Sequence, residues 1–154
     1  MNADPVIIER ATDRDRDAVL ALLRASNLPP DGLAGHWRTV LVGRAGAQVV
    51  GIAAVECHGE HGLLRSVAVA KSRRGEGLGE RLTRAALDLA RTEGVSTLYL
   101  LTETADRFFP RFGFRVIRRA DVDEAVMVSA EFRGACPDTA VAMELVLGLS
   151  GSSA

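Results

Sequence analysis

The chain has 154 residues, enough for about one domain. Its 47% hydrophobic and 25% charged residues are ordinary for a soluble globular fold and exclude disordered or collagen-like classes. Nineteen Lys and Arg against twenty Asp and Glu leave a net charge of −1, which argues against general nucleic-acid or membrane-surface binding. Cys57 and Cys136, far apart and outside any CxxC spacing, read as reduced thiols with no disulfide framework and no metal site. Neither a basic segment leading into an apolar one at Met1–Pro5 nor an apolar run of about 20 residues is present, so a cytoplasmic address is expected.

Val6-Ile7-Ile8-Glu9-Arg10 is short and β-branched and predicts a first strand. Thr12 and Asp15 have the spacing of a capping box, opening a helix with Ala18, Val19, Leu22 and Leu23 on its apolar face. Pro29-Pro30 and Asp31-Gly32 then mark a loop. Residues 39–43 and 49–56 flank a turn at 44–47 and predict an antiparallel hairpin; a second tight turn at 59–62 leads into a strand over 63–70. From Leu78 the period changes. Leu78, Leu82, Ala85, Ala86, Leu89 and Ala90 form one helical face, Arg81, Arg84, Asp88 and Arg91 the other, and Gly94 is the stop. The apolar run 97–101 is expected as a strand covered on both sides, parallel to 63–70 because a helix separates them. A short helix over 105–112 and strands over 114–118 and 140–147 complete an α/β reading as one domain, 1–147, with a small-residue flexible tail over 148–154.

Arg74-Gly75-Glu76-Gly77-Leu78-Gly79 joins a central strand to the most amphipathic helix. Glycines allow a sharp turn whose N–H groups approach a ligand, and a helix N-terminus favours an anion. Residues 65–84 carry six basic side chains against two acidic ones, a local excess that suits a pyrophosphate. A Walker A loop fails because Glu80-Arg81 follow the last glycine, and GxGxxG fails in either register because Glu80 or Leu82 takes the third glycine's place. What remains is an Arg-x-x-Gly-x-Gly turn after a fourth strand, and this resembles the acetyl-CoA loop of the GNAT superfamily of N-acetyltransferases. The element order resembles that superfamily over nearly the whole chain. Leu63-Leu64-Arg65-Ser66-Val67-Ala68-Val69, Leu98-Tyr99-Leu100-Leu101-Thr102, Ala105, Phe108-Phe109 and Phe112-Gly113-Phe114 are similar to the arsenic-resistance N-acetyltransferase branch. Ser129, Glu131-Phe132, Cys136-Pro137, Ala140 and Met143 extend the likeness. The stretch from Leu101-Thr102 to Phe114 also resembles the acetyltransferase domain of N-acetylglutamate synthases.

The resemblance implies a GNAT fold: a mixed central sheet of about six or seven strands, helices on both faces, and acetyl-CoA in a cleft where the central parallel strands splay. It implies acetyl-CoA as co-substrate and transfer to the α-amino group of glutamate or a glutamate-shaped, arsenic- or phosphorus-containing amino acid. The acceptor is then a small-molecule amine, with neither nucleic acid nor membrane as partner; pairing of two copies through the C-terminal strands stays open. Backbone groups of Val67, Ala68 and Val69 would take the pantetheine arm, and amides of Arg74, Gly75, Glu76, Gly77, Leu78 and Gly79 the pyrophosphate. Glu56 is the first candidate for the base that deprotonates the amine, with Glu60 and His61 as reserves. Many GNAT enzymes carry a tyrosine acid where Phe109 stands, and a thiol of pKa ~8.5 can leave unassisted. Arg65 is a candidate fork for a substrate carboxylate, with a salt bridge on the sheet as the alternative. Thr102 and Thr139 are weaker substrate-binding candidates, and Trp37 beside His36 is either a wall of the cleft or part of a hydrophobic patch. Other readings are a peptide or polyamine acceptor and a catalytically silent acetyl-CoA binder.

Overall fold

Two-residue alternation along the strands decides which side of the sheet each helix covers. In the computed structural model, which describes residues 5–148, the strands are β1 (Val6–Arg10), β2 (Val40–Ala45), β3 (Gln48–His58), β4 (His61–Val69), β5 (Thr97–Thr102), β6 (Arg115–Ile117) and β7 (Val141–Val146). The helices are α1 (Arg16–Ala25) and α2 (Leu78–Thr92). Val40, Val42, Ile52 and Ala54 face Val19 and Leu23 of α1. The intervening Leu41, Ala53 and Val55 face Leu78, Leu82, Ala86 and Ala90 of α2. Helices on both faces follow from that alternation.

The seven strands form one sheet in the order β1-β2-β3-β4-β5-β7-β6. Every neighbouring pair is antiparallel except β4 with β5, which α2 connects. The mixed GNAT-type architecture expected from the sequence is therefore present. The capping box forms: the Thr12 backbone N–H donates to Asp15 Oδ2 at 2.8 Å, and a single 3-10 turn precedes α1. Asp15 then pairs through both oxygens with Arg44 of β2, at 2.9 and 3.0 Å, tying the helix start to the sheet.

Several expectations need correction. The helix expected over 105–112 is only a turn followed by a 3-10 segment, Phe109–Phe112. Pro110 lacks the N–H a helix interior needs, and Gly113 at φ 100° ends the segment. The turn after β3 is tighter than expected: His58 and His61 already pair, leaving Gly59-Glu60 as the connection, so β3 outlasts Glu56 by two residues. Of the tail expected over 148–154, all but Gly148 lies outside the described residues. No helix among the described residues is long and apolar enough to cross a membrane.

Candidate active site

A bulge in β4 opens the sheet. Ala53 of β3 stands opposite both Ser66 and Val67, and Ser66 takes a left-handed backbone at φ 60°. An extra residue of this kind bends the strand that carries it. β4 and β5 pair only where 61–63 meets 97–99, and beyond that point they part. The gap is a cleft of about 480 Å³ with Val67, Ala68 and Val69 on one wall and Leu100, Leu101 and Thr102 on the other. Phe109 lines it too, buried and edge-on to Phe108 and Phe114, and brings no hydroxyl to the cleft.

Toward α2 the cleft runs into a second hollow of about 290 Å³, since Val69, Arg74 and Phe108 line both. Gly75, Gly77, Leu78 and Gly79 line this hollow, while Glu76 pairs with Arg73 at 3.0 Å and is not part of its lining. Gly75 and Gly77 have φ of 84° and 81°, and a Cβ on either would meet nothing within 4 Å. Backbone conformation, not crowding, therefore calls for glycine at both positions of the turn. Gly77 caps α2 without a side-chain hydrogen bond, so the first-turn amides and the positive helix end face the hollow. Arg74 Nε donates to the Val69 carbonyl at 3.1 Å, tying the turn to β4.

At its other end the cleft meets a mouth of about 640 Å³, with Leu28, Pro29, Leu101, Thr102, Thr104 and Cys136 common to both. Ser26, Asn27 and Glu103 add polar groups, and Ser26 Oγ is buried with no hydrogen-bond partner. Thr102 lines both spaces, its Oγ1 accepting from the Ala105 N–H at 3.0 Å. Thr139 is exposed and lines none of these cavities.

Arg65 separates the cleft from a third cavity. Its guanidinium is fully buried and donates to Glu56 Oε2 at 2.8 Å, to the Asp31 and Pro29 carbonyls at 2.7 and 2.9 Å, and to Ser66 Oγ at 3.2 Å. Glu131 Oε2 lies 3.2 Å from its Nε. The protein itself occupies the fork, so the salt-bridge alternative describes this arginine. Glu56 is 1% exposed and faces the third cavity, of about 620 Å³. It accepts from Ser129 Oγ at 3.0 Å, pairs with His58 Nε2 at 2.9 Å and lies 3.5 Å from His36 Nε2. Burial opposes its charge, but hydrogen bonds from Arg65 and His58 and the charges of Arg65 and His36 outweigh that and hold its carboxyl below the usual range. Burial lowers His36, with Glu56 opposing.

Glu131 is the carboxylate in the lining of the cleft, and burial pushes its pKa up against the pull of Arg65. Burial and the neighbouring Glu131 together push the Cys136 thiol up to about 12. Cys136 should therefore stay protonated and react with iodoacetamide at pH 8 far more slowly than a free thiol; rapid stoichiometric alkylation at this residue would contradict that environment.

The structure thus brings Val67, Ala68, Val69, Phe109, Arg65 and Thr102 around the cleft and the glycine turn to its end. It does not bring Glu60 there: that residue is exposed in the β3–β4 turn, where β4 and β5 still pair. His61, next along, lies 3.3 Å from Asp123 and stacks on Tyr99. Trp37 lies in the hydrophobic-patch alternative and not at the cleft: it packs against the cluster of Val19, Leu23 and Val40 and donates to the Thr12 carbonyl under Arg16. Arg111 lines the glycine-turn hollow, and Arg107 lines none of these cavities. Sequence reading assigned no role to Glu131; its only signal was membership in a Ser129–Cys136 stretch that extended a resemblance.

Residues 36–116, just over half the chain, match the family model described as Acetyltransferase (GNAT) domain. The chain belongs to this family. No curated protein sequence matches it. Among solved structures, N-acetylglutamate synthase from Neisseria gonorrhoeae, complexed with coenzyme A and N-acetyl-glutamate, superposes with a TM-score of 0.79 at 21% identity. That match covers 95% of this chain and 36% of the synthase, so the chain spans about a third of the synthase's length. Rv2747 from Mycobacterium tuberculosis, in complex with CoA and a second ligand, gives 0.78 at 23% identity over 91% of this chain and 98% of that one. Ard1 from Thermoplasma volcanium gives 0.71 at 18%, covering 92% and 97%. At these identities the likeness establishes the fold.

Proposed function

We propose that the chain is a cytoplasmic, acetyl-CoA-dependent N-acetyltransferase acting on the α-amino group of a small acidic amino acid, glutamate or an arsenic- or phosphorus-containing analogue. One observation carries the reading: a continuous groove runs from the open N-terminus of α2 to the parted edges of β4 and β5. First-turn amides and residues 74–79 would hold the pyrophosphate. The unpaired β4 edge at Val67, Ala68 and Val69 would hydrogen-bond the pantetheine amides as an added strand does. The acetyl thioester then reaches the cleft near Phe109, facing the mouth at Thr102.

The neutral α-amine attacks the thioester carbonyl carbon. A C–N bond forms, the C–S bond breaks, and coenzyme A leaves as thiolate. The amine's extra proton needs an acceptor, and we assign it to Glu131, whose carboxylate lines the cleft and whose raised pKa makes it a better base than Glu56. Glu56 instead holds Arg65 from the far side. With phenylalanine at position 109, the thiolate leaves without a tyrosine acid, as its pKa of ~8.5 allows. The acidic acceptor is supported by the fold shared with a synthase crystallised with N-acetyl-glutamate and by the Leu101–Phe114 resemblance. Ser26 Oγ, Asn27 and Thr102 are the uncharged polar groups at the mouth that would orient it, with Thr104 and the Glu103 carboxylate beside them.

The test is thiol release with acetyl-CoA and, side by side, glutamate, a phosphinic or arsonic glutamate analogue, spermidine and a short peptide. Acidic amino acids should react fastest; faster acetylation of spermidine or the peptide would remove the acceptor assignment. Gly77→Val adds a branched side chain at a left-handed position facing the hollow, and should abolish acetyl-CoA binding by calorimetry. Unchanged affinity in that folded variant would remove the groove as the donor site.

A further inference from the structure

We propose that His36, Glu56 and His58 bind one divalent transition-metal ion of the zinc class, at the edge of the cavity beside Arg65. This inference does not depend on the acetyl-transfer reading. The donor atoms of the three side chains lie within 4.8 Å of one another. Nε2 of His58 and Nε2 of His36 are 2.9 and 3.5 Å from the same oxygen, Glu56 Oε1. Ligands around zinc at about 2.0–2.2 Å stand roughly 3–3.5 Å apart, so an ion fits between these atoms with small side-chain adjustments. Imidazole nitrogen with a carboxylate oxygen is a donor set that suits zinc, cobalt and nickel better than calcium or magnesium.

Local structure explains the convergence. Glu56 and His58 are two apart on β3, so the strand puts both on the face that α1 covers. His36 comes from the 3-10 segment Leu33–Thr39 and has a non-helical backbone there, φ −123° and ψ 25°. The other oxygen of Glu56 accepts from Arg65 and Ser129, which fixes the carboxylate as outer partners fix metal ligands. Charge points the same way: the buried carboxylates of Glu56 and Glu131 face one buried guanidinium, leaving a negative excess that a cation offsets. Three protein ligands on one side, with about 620 Å³ of space on the other, match an open site that keeps positions for water or a small ligand.

The experiment is titration of tag-free, chelator-washed protein with Co²⁺, followed by calorimetry and visible absorption, and then competition with Zn²⁺. The expected result is one Co²⁺ per chain, d–d bands of low coordination number, and displacement by Zn²⁺. H36Q and H58Q should each weaken binding by more than about a hundredfold, beyond the 10–100-fold typical of outer-partner losses. H61Q, which alters a histidine outside the cluster, should bind as the parent does. Absence of stoichiometric binding, or binding preserved in both H36Q and H58Q, overturns the proposal. Circular dichroism of the two variants checks that they are folded, and each retains a neutral side chain of similar reach.

Discussion

Arg65→Ala is expected to lower the stability of this protein by about 3–5 kcal/mol, the cost of breaking a buried ion pair. Two carboxylates, Glu56 and Glu131, would stay buried without their shared guanidinium. The Pro29 and Asp31 carbonyls, which pin the loop after α1, would lose their donor as well. For a domain of this size the melting midpoint should fall by about 10 °C. The informative partner is the triple variant Arg65→Met, Glu56→Gln, Glu131→Gln, which removes every charge in the group. It should recover much of the loss, because the penalty lies in the unpaired carboxylates and not in the missing contact. A single variant melting within a degree or two of the parent would mean that water reaches these groups freely.

Glu131→Gln is expected to lower turnover by about 10²–10⁴, the contribution of a positioned acid–base group, while acetyl-CoA affinity changes little. Glutamine keeps the size of the side chain and leaves a carbonyl oxygen near the Arg65 guanidinium, 3.2 Å away in the parent; circular dichroism and the melting midpoint check that the variant is folded. The pH profile separates this role from a structural one. A base must be ionised to act, and burial raises Glu131 above the ordinary carboxylate value. Parent activity should therefore fall as pH drops through that raised pKa and be present above it. In the variant that limb should vanish, leaving only the limb set by protonation of the amine. Turnover within about threefold of the parent, with an unaltered profile, would pass the proton to Glu56 or to bulk water.

Much of the fold was legible because it rests on local periodicity. Leu78, Leu82, Ala86 and Ala90 recur at helical spacing and form the face α2 buries. The single parallel pair followed from strand–helix–strand order, and the Arg74–Gly79 pattern placed the glycine turn at the start of α2. Legibility ended where contacts depend on aperiodic chain. Ser129 meets Glu56 across 73 positions through a segment with neither helical nor strand spacing. Arg65 could be read as a substrate fork only because its partners outside the sheet, Pro29, Asp31 and Glu131, leave no trace in sequence spacing. The segment at Phe109 misled for a different reason: its aromatic spacing resembles a helix, but Pro110 and Gly113 restrict it to one tight turn.

The parted strands also give the sheet an edge in its interior. Outer edges invite pairing with other chains, and proteins commonly shorten or cover them; β6, three residues long, is the short one here. On the side away from β3, the β4 segment 64–68 has no strand partner either, but it faces β5 across a cleft lined by Phe108 and Phe109. Whatever pairs with that edge has to lie inside the cleft between those walls. An interior edge of this kind is therefore less open to pairing with other chains than an outer edge is.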